Sequence, residues 1–158
     1  MSDTPAVRAV AAAGIAHEVV THGPVRSLEE AAAARNAEVR DIVKTIVVRR
    51  GEDDYLFVLV PGGRVISWPK LRTLLGVKRL SMPDAATAKD ATGYERGTIT
   101  PFGATTAWPV IADERITGRR ISLGGGAHGT ALTLAADDAI AALTATVADV
   151  TDPEPERP

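Results

Sequence analysis

EVRDIVKTIVVRRGEDDYLFVLVPGG, residues 38–63, is the stretch whose reading decides the fold. Ile42 to Val48 and Tyr55 to Val60 are β-branched, aliphatic or aromatic at both parities. Two such runs around a turn at Gly51-Glu52-Asp53-Asp54 predict a β-hairpin whose strands are each buried on both faces. Lys44 stands inside the first run, where an unpaired ammonium in a core is costly. It either opens into a cleft or snorkels from the end of the strand.

Working outward, Pro5 to Gly14 carries Ala and Val at helical spacing, with Pro in the first turn and Gly as a stop. Ile15 to Thr21 alternates as a strand. Ser27 and Glu30 form a capping box for the helix LEEAAAARN, with Asn36 at its C-terminus. Beyond the hairpin, Ser67 caps a helix that Gly76 stops, Val77 to Leu80 reads as a short strand, and Asp84 caps AATAKDAT. Strands follow around Val110-Ile111, from Arg120 to Leu123 and from Thr130 to Leu134. A helix runs from Ala136, and Thr146 to Val150 adds an edge strand. The fold class expected is α+β, a mixed and mostly antiparallel central sheet with short helices packed outside it. Residues 1–150 form one domain, and residues 151–158, rich in Pro and Glu, are a disordered acidic tail.

The chain has 158 residues, a net charge of −2 and no cysteine, which excludes disulfides, thiolate nucleophiles and cysteine-based metal sites. Its three histidines are too dispersed for a zinc site, and no cofactor or metal is expected. No membrane-length apolar run or signal sequence is present, so the expected location is cytoplasmic. Between Arg40 and Arg96 eleven Lys and Arg face seven Asp and Glu. A modest basic face of this kind suits either contact with one end of an RNA or plain solvation.

Two glycine-rich segments complete the candidates. Thr92 to Gly103 reads TGYERGTITPFG, a loop in which Gly97 and Pro101 frame Thr98, Ile99 and Thr100 and leave backbone N–H groups free for a ligand. From there the β-branched run is expected to lead into a strand and a turn. Gly124 to Gly129 reads GGGAHG, a turn that brings backbone donors of Gly125 and Gly126 to one point with the His128 imidazole. Neither is a nucleotide-binding motif, since the P-loop Lys-Ser/Thr and the GxGxxG spacing are both missing. With Lys44 they describe a cleft of backbone donors and one cation, suited to polarising a carbonyl.

In this order, Lys44-Thr45-Ile46-Val47, Thr92-Gly93-Tyr94, Gly97-Thr98-Ile99-Thr100-Pro101 and Gly125-Gly126 resemble the motifs of the YbaK and prolyl-tRNA-synthetase-associated editing-domain family. The resemblance runs from about Val7 to about Ala148. It implies hydrolysis in trans of the ester on a mischarged tRNA, in the manner of the Cys-tRNA(Pro) or Ala-tRNA(Pro) deacylases. It implies that Lys44 orients the substrate near the 3′-adenosine and that the Gly97 loop, Thr98 to Pro101, contacts the aminoacyl ester. Gly125, Gly126 and His128 would complete the binding site, and the terminal ribose hydroxyl would help activate water. The implied partners are the tRNA acceptor end and an aminoacyl-tRNA synthetase. Members similar to the Cys-tRNA(Pro) deacylase carry Ser-Gly-Gly-Lys-Arg-Gly in the last turn with Asp two residues on. Here Gly124, His128 and Ala131 replace that Ser, Arg and Asp. These losses leave open a module of the same fold that binds an aminoacyl or nucleotide ligand without cleaving it.

Overall fold

The computed structural model describes residues 3–155. Helix α1 (Pro5–Ala12) starts where the Thr4 hydroxyl accepts from the Val7 N–H at 3.1 Å, with Pro5 in the first turn. Strand β1 (His17–Thr21) follows, then α2 (Leu28–Ala34). Ser27 accepts from the Glu30 N–H, but the returning Glu30 carboxylate takes the Arg26 N–H at 2.6 Å, one residue earlier than an ideal capping box. A 3₁₀ turn (Val39–Asp41) leads into β2 (Val43–Gly51) and β3 (Asp54–Pro61). The pair is antiparallel, with Lys44 opposite Val60, a register shift at Arg49/Gly51 and Asp53 at φ 52° in the turn. Next come β4 (Arg64–Ile66), α3 (Trp68–Leu75) and α4 (Ala85–Thr92). Ser67 and Asp84 cap the two helices as read, and Gly76 and Gly93 end them in the left-handed region. Then follow β5 (Val110–Asp113), a 3₁₀ turn (Glu114–Ile116), β6 (Arg120–Gly124), β7 (Thr130–Ala135), α5 (Ala136–Leu143), β8 (Thr146–Ala148) and β9 (Thr151–Pro153).

The strands form sheets of order β1-β7-β6, β2-β3-β5-β8 and β4-β9. β3/β5 and β5/β8 are parallel and the other four pairings antiparallel, so the sheet is mixed and mostly antiparallel as the pattern implied. A parallel bridge from Ile42 to Ser122 joins the first two sheets. No helix among the described residues is long and apolar enough to cross a membrane.

β3 is buried on both faces and divides the core. Tyr55, Phe57 and Leu59 pack with α1, β6 and β7 on one side, while Leu56, Val58 and Val60 meet Ile66, Leu71 and Val150 on the other. Its partner departs from the expectation: Lys44 is exposed, and Thr45 and Ile46 are half-buried. The reason is that β6 touches β2 in a bridge at Ile42, and beyond it the strand faces open space.

Three further expectations change. Residues 77–80 are irregular, with a bridge from Arg49 to Ser81 in their place. Thr98 to Thr100 form no strand, because their hydroxyls and carbonyls bond within the loop and to the last glycine turn. Finally, Thr151–Pro153, assigned to the tail, form β9 against β4. Asp113, fully buried, fixes this strand: its carboxylate accepts from Thr151 Oγ1 at 2.8 Å, the Val150 N–H, the Arg115 N–H and the Arg115 guanidinium. Residues 156–158 of the expected tail lie outside the described residues.

Asp113→Ala leaves the Val150 and Arg115 N–H groups and the Thr151 hydroxyl without this acceptor and is expected to cost about 3 kcal/mol of unfolding free energy. Thr151→Val should cost about 1–2 kcal/mol. Urea unfolding midpoints check both, and unchanged midpoints would show that β9 is not held by this carboxylate.

Candidate functional site

A cleft of about 810 Å³ opens along β2. Its walls are Ile42 to Val47, the start of α2 with Ala31 and Arg35, the segment Met82 to Ala85 with Ala88, and Arg96, Gly97, Ile99 and Gly124. The volume is in the range of small-molecule sites. Four cations line it, Arg26, Arg35, Lys44 and Arg96, against one carboxylate, Asp84. That carboxylate accepts the Thr87 N–H at 2.8 Å, and this bond holds it below the usual carboxylate range. The Ser27 hydroxyl caps α2 in the same way. Asp84 and Ser27 thus each serve as a helix cap, and the Thr45 hydroxyl of the lining has no hydrogen-bond partner among the described residues. The Lys44 side chain makes no hydrogen bond or ion pair among the described residues; it stands near the start of β2, is exposed and lines the cleft.

Gly97 lies at the cleft with φ 89°, a conformation that disfavours any Cβ. Neither its N–H nor that of Ile99 finds an acceptor among the described residues. Thr98, Thr100 and Pro101 are buried behind the cleft wall and do not line it. The Thr98 hydroxyl donates to the Glu95 carbonyl at 2.7 Å, and the Thr100 hydroxyl accepts from the Phe102 N–H. These residues shape the loop from within.

The last glycine turn braces the loop. The Gly126 N–H donates to the Thr98 carbonyl at 3.2 Å, and the Gly125 N–H donates to the Thr130 carbonyl. The two donors read from the sequence as free are therefore engaged, and Gly125 and Gly126 lie off the cleft lining. Thr4 donates to the Gly125 carbonyl. A Cβ on Gly126 would lie 2.8 Å from the Tyr94 ring, and one on Gly124 would lie 3.1 Å from the Ile99 carbonyl. His128 is exposed, with Nε2 3.4 Å from a Glu95 carboxylate oxygen and its ring beside Gly97. The Ala131 position is fully buried.

Sequence reading missed Arg26, Arg35, Arg96 and the Met82–Ala85 wall. Arg96 stands inside the Thr92–Gly103 stretch but was not singled out there, and the others sit in no motif; they meet only where α2, α4 and the Gly97 loop line one cleft with β2. Nor do the basic residues of 40–96 form one patch. Arg49, Arg50, Arg72, Lys78 and Arg79 gather around a separate groove at the far end of the hairpin.

The sequence profile of the aminoacyl-tRNA editing domain matches residues 22–142. The proline--tRNA ligase of Thermosipho africanus (strain TCF52B) is 36% identical over 80 residues, 51% of this chain and 14% of the ligase. That of Thermosipho melanesiensis (strain DSM 12029 / CIP 104789 / BI429) is 34% identical over 98 residues, 61% of this chain and 17% of the ligase. The chain thus spans a small fraction of the length of these curated relatives. A crystal structure described as "a putative trans-editing enzyme for prolyl tRNA synthetase" aligns with TM-score 0.85 and 28% identity, covering 96% of this chain and 99% of that one.

Tyr94 holds the loop, its hydroxyl donating to the Phe102 carbonyl at 2.6 Å; burial pushes the phenol up to about 12, with Arg8 opposing weakly. Above pH 10 the unfolded chain loses this proton while the folded chain keeps it, so stability should fall with pH between 10 and about 12. Tyr94→Phe is expected to cost about 1 kcal/mol at pH 7 and to flatten that alkaline slope. Urea titrations at pH 7 to 11 measure both, and an unchanged slope would remove Tyr94 as its source.

Proposed function

The chain belongs to the aminoacyl-tRNA editing domain family, and from that membership we propose that it hydrolyses, in trans, the ester joining a wrong amino acid to tRNA. The observation carrying the reading is an unpartnered Lys44 on the same cleft as the free N–H groups of Gly97 and Ile99. Such donors can hold and polarise an ester carbonyl as negative charge develops on its oxygen. Asp84, the one carboxylate of the lining, is engaged at a helix start, which supports water activation by the substrate's own ribose hydroxyl. Lys44 orients the ester near the terminal adenosine, Gly97 and Ile99 meet the aminoacyl group, and Thr98, Thr100 and Pro101 keep that loop in shape. Gly125 and Gly126 brace the loop from behind, and His128 stands at its outer edge.

The selected amino acid is small. Gly124 sits against the loop carbonyls and Ala131 is buried, so neither brings a polar group to the wall. Alanine fits such a wall better than an amino acid that needs a hydrogen-bonding partner. The partners on this reading are the acceptor end of a mischarged tRNA and a prolyl-tRNA synthetase. A cytoplasmic location follows from that work.

Lys44→Ala should lower kcat/KM for deacylation by about 10²-fold or more, as loss of a transition-state donor does. Its unfolding free energy should move by less than about 0.5 kcal/mol, because the side chain is exposed. A panel of Ala-, Cys-, Ser-, Thr- and Pro-charged tRNAs tests the reading. No release by the wild-type chain above buffer, combined with tight binding of an uncleaved aminoacyl-adenosine ester, would establish a binding module instead.

A further inference from the structure

Arg35 follows α2, half-buried on the cleft wall, and burial pushes its guanidinium below the ordinary arginine range. Its side-chain partner is an imidazole: Nε donates to His22 Nε2 at 3.4 Å. His22 Nδ1 lies 2.7 Å from the Gly23 carbonyl, which can only accept, so Nδ1 carries the ring proton and Nε2 presents its lone pair. His22 therefore positions Arg35 without neutralising it. No carboxylate reaches ion-pair distance of Arg35 among the described residues, and desolvation alone acts on its charge.

A guanidinium stays charged at any ordinary pH, and burying one without a counter-ion is unfavourable. The one carboxylate of the cleft, Asp84, accepts the Thr87 N–H and makes no ion pair with Arg35. What the site lacks is an anion, and the planar fork of an arginine matches two oxygens of a phosphate. Arg35 and Lys44 line the same cleft, so a nucleotide backbone could bring a phosphate to one and an ester to the other.

We propose that Arg35 is a phosphate-binding residue of the cleft, its guanidinium taking a phosphodiester of the single-stranded 3′ end whose aminoacyl ester the same cleft admits. The proposal rests on the editing reading above. It assigns Arg35 to affinity for the RNA backbone, leaving ester polarisation to Lys44 and the loop.

Titration of the whole chain with adenosine, with the trinucleotide CCA and with inorganic phosphate tests it. CCA should bind about tenfold or more tightly than adenosine, the scale of one charge-assisted phosphate contact. Arg35→Met should erase most of that preference and lessen the slope of log affinity against log salt by about 0.7, the value for one phosphate of a single strand. Arg35→Lys, which keeps the charge and the stem, should retain part of it and serves as the comparison if Arg35→Met melts early. In deacylation, the loss for Arg35→Met should be larger on mischarged tRNA than on an aminoacyl-adenosine ester by a similar factor. No preference for CCA, a preference that survives Arg35→Met, or equal losses on the two esters would overturn the assignment. So would inorganic phosphate binding through Arg35 as tightly as CCA, since the site would then take a free anion. Arg35-dependent CCA binding by a chain that releases no amino acid would defeat the deacylase reading and leave this one standing.

Discussion

A strand apolar at every position has to be covered twice, and β3 imposes that requirement on the whole molecule. One cover is α3 with β4 and Val150, the other α1 with β6 and β7. Both covers are centred on β3, so its hairpin partner is left with an uncovered flank once β6 has met it at Ile42. The cleft is that flank. A lysine in such a strand needs no compensating charge, because the geometry that buries Val60 on β3 leaves Lys44 opposite it open.

Around this frame the cleft gathers cations, while its one carboxylate, Asp84, and the Ser27 hydroxyl each accept a bond at a helix start. Asp84 and Ser27 stand at helix starts, where each accepts one of the backbone N–H groups that lack an intrahelical partner. The same capping chemistry that starts α2 and α4 removes bases from the site they enclose. A substrate that supplies its own hydroxyl and its own negative charge suits such a site better than one that must find both in the protein.

The hairpin, the helix caps at Ser27, Ser67 and Asp84 and the left-handed stops at Gly76 and Gly93 were legible because each is decided within a few residues. Lys44 and Gly97 were legible as site candidates for a related reason: each breaks a local rule, one a charge in an apolar run, the other a glycine amid β-branched residues. What local reading could not supply was direction. Gly125 and Gly126 look like free donors until Thr130 and Thr98 are folded against them, and Thr98 and Thr100 look ligand-facing until Glu95 and Phe102 engage their hydroxyls. Arg35 breaks no rule in its own helix, so only the arrival of β2 beside it gives it a role. The last strand failed similarly: Thr151 to Pro153 has a tail's composition, and the buried Asp113, 38 residues before Thr151 in the chain, makes it structure.

Thr4 both starts α1 and donates to the Gly125 carbonyl, a contact between residues 121 apart in sequence. During synthesis the N-terminal segment therefore waits, its docking place unmade, until the second glycine turn has left the ribosome. The hairpin can close long before that, since its partners are neighbours in the chain. Maturation then runs from scaffold to site: the strand that carries the lysine can form early, and the Gly97 loop acquires its brace only once the second glycine turn has been made.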